Sequence, residues 1–175
     1  MITVFTVLLI VLTIKFMFCG IAKLWWYRET ISFATKFEYF PDKLGRIMGV
    51  ILPWFEIFIF MMLLMFNSVY IYIVISCYFL LFIALNIKAI AGRKDISCFC
   101  YGKLIRSRLG FGGLFNFLCH FAIVITCSII SNDSLFVVLN NVREHEILPI
   151  GLSVIGISWG MLLGQMYGDN LFGRV

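Results

Sequence analysis

The run ITVFTVLLIVLTIKFMFCGIAKLWW, residues 2–26, decides the class of fold. It exceeds the ~20 residues that a membrane helix needs and carries only two charges, Lys15 and Lys23. It closes on Trp25, Trp26 and Tyr27, aromatic residues of the kind that sit at a membrane–water boundary. A secretory signal is the rival reading, but no basic segment precedes the run and no small-residue cleavage site follows it. Phe18 directly before Cys19 also argues against lipoprotein processing, so the segment is read as retained.

Outward from this run the pattern repeats. Further apolar stretches cover residues 47–66, which holds Pro53 and the single carboxylate Glu56, then 69–90, 112–130 and 147–167, with Pro149 expected in the first turn of the last. Between the first two, Trp26, Phe33, Phe37 and Phe40 recur at helical spacing opposite Glu29, Ser32 and Lys36. That arrangement describes a short amphipathic helix on the membrane surface, closed by Pro41-Asp42. Asn67-Ser68 marks a tight turn, and residues 132–146 read as a loop or an interfacial turn. The expected fold is all-α and integral to the membrane. It is one compact transmembrane helical bundle of four to five spans, a single domain over residues 1–175, with a short interfacial amphipathic helix after the first span.

Composition agrees. Hydrophobic residues make up 62% of the 175 positions and charged residues 13%, against about 25% in soluble proteins. Mean hydropathy is +1.03. The net charge of +5 lies in short connections rather than on a helix face, and no zinc-finger, RNA-binding or leucine-zipper pattern is present. Membrane lipid is therefore the expected surrounding, and nucleic acid is not an expected partner.

The connection between the third and fourth spans carries Cys98-Phe99-Cys100-Tyr101-Gly102. Sulfurs two positions apart can join only in a small strained ring, and strained disulfides are oxidising and labile. Arg93, Lys94, Lys103, Arg106 and Arg108 flank the pair and favour the thiolate, while Asp95 works against it. A plain basic loop would look the same.

Electrons from such a pair need a destination: a third cysteine, a partner protein or a quinone. Cys19 is the internal candidate, because Lys15, Cys19 and Lys23 repeat every four residues and form one stripe on the first helix. Lysines are costly against lipid, so the stripe is expected to face protein or water. Alternation of the spans puts Lys23, Glu56, Cys98, Cys100 and, deeper, Cys19 and Cys119 in one half of the membrane. There Glu56 can pair with Lys23, either as a proton acceptor or as a bridge that locks two helices. Candidate catalytic residues are thus Cys98, Cys100, Cys19, Glu56 and Lys23. Cys77 and Cys127 read as packing residues. His120 is a lone histidine, so neither zinc nor haem is expected.

The last span carries a second stripe, Gly156, Gly160, Gly164 and Gly168, a smooth groove for close approach of another helix, in this bundle or in a partner. Orientation is contested. Outside the spans, Lys and Arg number four in residues 27–46, five in 92–108 and one at Arg174 on the cysteine side, against Arg143 alone on the other. The positive-inside rule places the cysteines in the cytoplasm, whereas stable disulfide chemistry prefers the opposite face.

Phe-Cys-Gly-Ile-Ala-Lys-Leu from Phe18, Leu-Pro-Trp-Phe-Glu from Leu52, and Cys98-Phe99-Cys100-Tyr101-Gly102 together resemble the MauE/DoxX family over about residues 1–130. The family pattern resembles Cys-Gly-Cys-Phe-Gly, and here Phe99 stands between the cysteines. The resemblance implies a multi-pass protein of the bacterial cytoplasmic membrane. It would work beside a thioredoxin-like partner in the maturation of exported proteins such as methylamine dehydrogenase. As an enzyme it would be a thiol–disulfide oxidoreductase. The alternative is a non-enzymatic membrane subunit or assembly factor that docks a partner through the glycine stripe, its cysteines a static staple. Transport would require interrupted helices around a polar midplane site, for which Lys15 alone speaks.

Overall fold

The computed structural model describes residues 2–35, 41–66, 68–92, 96–98, 107–130 and 144–172. In chain order these form α1 (Ile2–Trp25), α2 (Tyr27–Thr35), α3 (Asp42–Met65), α4 (Val69–Ala91), β1 (Ile96–Cys98), β2 (Ser107–Leu109), α5 (Phe111–Ile130) and α6 (Glu144–Phe172). All but α2 among the helices are long and apolar enough to cross a membrane. The chain is an all-α helical membrane bundle, multi-pass, with its outer helix faces against lipid.

The sequence explains the boundaries. Pro41, fixed in an extended conformation, precedes α3, and Asp42 in the first turn suits the positive end of the helix. The helix therefore starts several residues before the apolar run that signals it, and the same holds for α6. One consequence is that Pro149 lies inside α6, beyond its first turn, which differs from the sequence expectation. Ser68 caps α4, its side chain accepting from the Tyr70 amide at 3.4 Å.

Helix α1 is the centre of the bundle. It packs against α3, α5 and α6, while α4 packs on α5. Its apolar window is 56% buried, compared with 11% for α6, so α6 is a peripheral helix. The core is aromatic at its middle: Phe16 of α1 meets Phe79 of α4 at 5.7 Å between ring centroids, and Phe82 stacks on Phe117 of α5 at 5.0 Å. Two of these rings, Phe79 and Phe117, cover Lys15 of α1 on the side of α4 and α5.

The amphipathic helix α2 is bound to both neighbours. The Thr30 hydroxyl donates to the carbonyls of Lys23 and Trp26 at 3.2 and 3.0 Å, satisfying the end of α1. Its other side lies on the first turns of α3 at Gly45 and Gly49. A Cβ on Gly45 would come within 2.2 Å of the Ala34 carbonyl oxygen, and one on Gly49 within 2.9 Å of the Ile31 Cα. Two glycines four apart thus permit backbone contact between helices. Gly20 does the same where α1 crosses α3, against Ile57 and the Pro53 carbonyl.

Among the described residues the bundle has one non-helical addition. Strands β1 and β2 form an antiparallel ladder with Ile96 opposite Leu109, Ser97 opposite Arg108 and Cys98 opposite Ser107. The connection that reads as polar loop in the sequence is therefore a hairpin at its base. Its root is fixed because the Gly110 amide donates to the Asn86 Oδ1 of α4 at 3.1 Å.

Candidate functional site

The lysine stripe of α1 faces inward. Cys19 is 4% exposed, Lys23 3% and Glu56 of α3 1%. The Lys23 ammonium donates to Glu56 Oε1 in a buried ion pair, and the Tyr78 hydroxyl of α4 donates to the same oxygen at 2.5 Å. One carboxylate oxygen thus links three helices. Glu56 Oε2 has no hydrogen-bond partner among the described residues. A buried pair is a weak source of net stability but a strong constraint, since removing either member leaves the other charged in a dry interior.

Two turns below Lys23, Lys15 reaches Asn116 Oδ1 of α5 at 3.5 Å and lies over the rings of Phe79 and Phe117, 4.7 and 4.8 Å from their centroids. Ring faces carry negative charge density, so they partly replace water around the ammonium. Asn116 in turn donates through Nδ2 to Gln165 Oε1 of α6 at 2.7 Å. His120, one turn further along α5, is hydrogen-bonded from Nδ1 to the Asn116 carbonyl at 2.8 Å. That carbonyl can only accept, so Nδ1 carries the proton and a neutral ring offers Nε2 as an acceptor.

These groups enclose a void of about 10 Å³ lined by Lys15, Cys19, Lys23, Glu56, Tyr78 and Asn116, with Phe117 and Gln165 completing it. It is on the scale of a single water. A polar track therefore runs along the inner face of α1 from Lys15 past Cys19 to Lys23. It can hold and pass protons between side chains, and it fixes α1 against three partners.

The other sequence candidates divide. Cys98 ends β1 with its backbone in register with Ser107, on the side of the bundle where α1 ends and α5 begins. Cys100 lies outside the described residues. Cys127 is fully buried among core side chains, as a packing residue should be, but Cys77 is exposed on the outer face of α4, where a small apolar thiol sits against lipid at little cost. Of the glycine stripe, Gly164 faces Phe115 of α5, whose ring a Cβ would meet at 3.1 Å. Gly156 and Gly160 have nothing within 4 Å. Gly168 belongs to α6. Among the described residues no three His, Cys, Asp or Glu side chains converge.

Tyr78, Asn116, Gln165 and Asn86 escaped the sequence reading. Three of them carried a usable signal, because an amide inside an apolar span is expensive and marks either function or a specific contact. Tyr78 is one of many aromatic residues on α4, and nothing local distinguishes it.

The family profile described as Methylamine utilisation protein MauE matches residues 1–129, which takes in α1 to α5 with the cysteine hairpin and leaves out α6. Comparison with curated proteins and with solved structures finds no match to the chain.

Proposed function

The chain belongs to the MauE family of membrane proteins, and from that premise we propose that it is a thiol–disulfide redox protein of the bacterial cytoplasmic membrane. Cys98 and Cys100 are its exchanging pair, and a thioredoxin-like protein or a quinone is its redox partner, in support of the maturation of exported proteins. The observation that carries this reading is the hairpin. Cys98 stands at the end of β1, which is paired with β2, and the residue after β2, Gly110, is anchored to α4 through Asn86, so the backbone at Cys98 is tied to the bundle.

In the exchange, a thiolate of the pair attacks one sulfur of the partner's disulfide, forming a mixed disulfide and releasing a partner thiolate. The second cysteine then attacks the mixed bond, closing the pair and freeing the partner's other thiol. Two electrons pass from the pair to the partner, and the reverse sequence returns them. Lys23 and Glu56 serve this chemistry by locking α1 to α3 and, through Tyr78, to α4. Cys19, beside them in the polar track, is the internal thiol nearest that lock.

The test is replacement of both Cys98 and Cys100 by Ser in full-length protein. Oxidation of a reduced thioredoxin-like substrate is expected to vanish while the bundle persists. A variant holding only one of the two cysteines is expected to trap a mixed disulfide that names the partner. Unchanged oxidation in the double variant overturns the proposal.

A second reading has its own observation. Gly156 and Gly160 leave open space on a helix that is largely exposed, which suits a subunit or assembly factor that receives a partner helix. On that reading the double serine variant still binds its partner, and Gly160→Leu releases it.

A further inference from the structure

On the flank of the polar track, between α1, α5 and α6, lies a crevice of about 180 Å³. A closed apolar cavity of about 150 Å³ accepts a benzene ring, so this crevice has room for one substituted six-membered ring. Ile14 and Phe18, 40% and 42% exposed, stand on its α1 wall and face the lipid. A ligand with a hydrocarbon tail can therefore enter sideways and leave the tail in the bilayer.

Three polar groups line this otherwise apolar slot: Lys15, His120 and Ser158. Each has capacity to spare. No carboxylate pairs with Lys15 among the described residues; its contacts are the long one to Asn116 and two ring faces. His120 is 3% exposed and uses Nδ1 on the Asn116 carbonyl, which leaves Nε2 without a hydrogen-bond partner among the described residues. Ser158 makes no hydrogen bond within the described residues. Two donors and one acceptor thus meet around a ring-sized slot.

Depth selects the ligand. Lys15 is ten residues before the end of α1 at Trp25, about 15 Å into the bilayer at 1.5 Å per residue. A phosphate headgroup does not descend that far. A neutral ring with two carbonyl oxygens does, and it accepts from Lys15 and Ser158 without bringing a charge. We propose that this crevice binds the ring of a lipid-soluble quinone, with Lys15 and Ser158 on its oxygens and His120 as the acceptor for a quinol hydroxyl.

Lys15 also lines the smaller void with Cys19, Lys23 and Glu56, so it joins the crevice to the polar track. This gives the site a use that rests on the redox reading above. A dithiol pair and a quinone yield a disulfide and a quinol: the sulfur–sulfur bond forms, two electrons move to the ring, and the two thiol protons end on its oxygens. Lys15 is placed to deliver a proton to the ring from the track.

The test uses purified full-length protein in detergent and an azido-substituted short-tailed benzoquinone as photolabel, with adducts located by peptide mass mapping. Adducts are expected on the α1 segment around Lys15 and Phe18 and on the α6 segment around Ser158. Ser158→Phe, which fills the slot from a half-buried position, is expected to remove them. Lys15→Met is expected to weaken labelling at least about tenfold, the scale of losing one charge-assisted hydrogen bond. Labelling spread evenly over the lipid-facing helices, or undiminished in Ser158→Phe, overturns the site. So does displacement of the label by palmitate but not by excess unlabelled quinone, which would make the slot an acyl-carboxylate site. Failure of the redox reading is separate: the Cys98→Ser, Cys100→Ser protein should label as the native protein does. Crevice labelling in a native protein that transfers no electrons would leave the site standing and remove its use.

Discussion

Helices α1 and α6 each carry a stripe that repeats every four residues, Lys15-Cys19-Lys23 on one and Gly156-Gly160-Gly164-Gly168 on the other. The first is enclosed by α3, α4, α5 and α6 and makes the interior polar. The second meets α5 at Gly164 and is open at Gly156 and Gly160. Periodicity thus defines a face on each helix, but the chemistry of the face decides how firmly its burial is implied. Two lysines cannot be left in lipid, whereas glycines are tolerated on either side. The glycines that the fold does use for backbone contact include Gly20 and the pair Gly45 and Gly49, which stand out less in the sequence because they are not extended into a longer stripe.

The largest expected effect breaks the α1 face. Glu56→Leu strands the Lys23 ammonium in the interior and should cost about 3–5 kcal/mol, read by thermal unfolding in detergent. Adding Lys23→Met to Glu56→Leu should restore most of that loss, because the stranded charge is gone. If the double variant is as unstable as the single, the pair is not the lock that joins these helices.

Next comes the glycine contact that is closed. Gly45→Leu forces a side chain into the Ala34 carbonyl and should cost about 3 kcal/mol, the upper end for overpacking, since the obstacle is backbone. A smaller change is expected where the polar track reaches α6. Asn116→Leu leaves Gln165 without its donor in a buried site and should cost about 2 kcal/mol. Asn116→Leu combined with Gln165→Leu should recover part of it. The smallest effect sharpens the comparison from the other side. Gly160→Leu, on the open part of α6, should change stability by less than about 0.5 kcal/mol. A loss as large as that of Gly45→Leu would mean that the α6 face is closed after all.

How far the sequence could be read follows the same division. The helical membrane bundle was legible because each long helix contains an apolar run with no alternative solvent, and the inward turn of Lys15, Cys19 and Lys23 because charge is intolerable in lipid. The pairing of Lys23 with Glu56 was legible as well, as each is the isolated opposite charge at a comparable depth. The β1–β2 ladder was not, since three-residue strands carry no period and are set by the helix ends that hold them. Nor was the role of Tyr78, whose partner comes from packing α4 beside α3. The early starts of α3 and α6 were hidden because polar first turns, such as Asp42-Lys43, are helical here without being apolar.

The central claim concerns Cys98 and Cys100, and their redox state can be read directly. Membranes carrying the native chain would be exposed to an oxidant or a reductant, alkylated, and the mass of the peptide holding both cysteines compared. The account predicts a reversible change of two alkyl groups between the two conditions, lost when a reduced thioredoxin-like substrate consumes the oxidised form. A peptide that carries both groups under every condition, or neither, would contradict it.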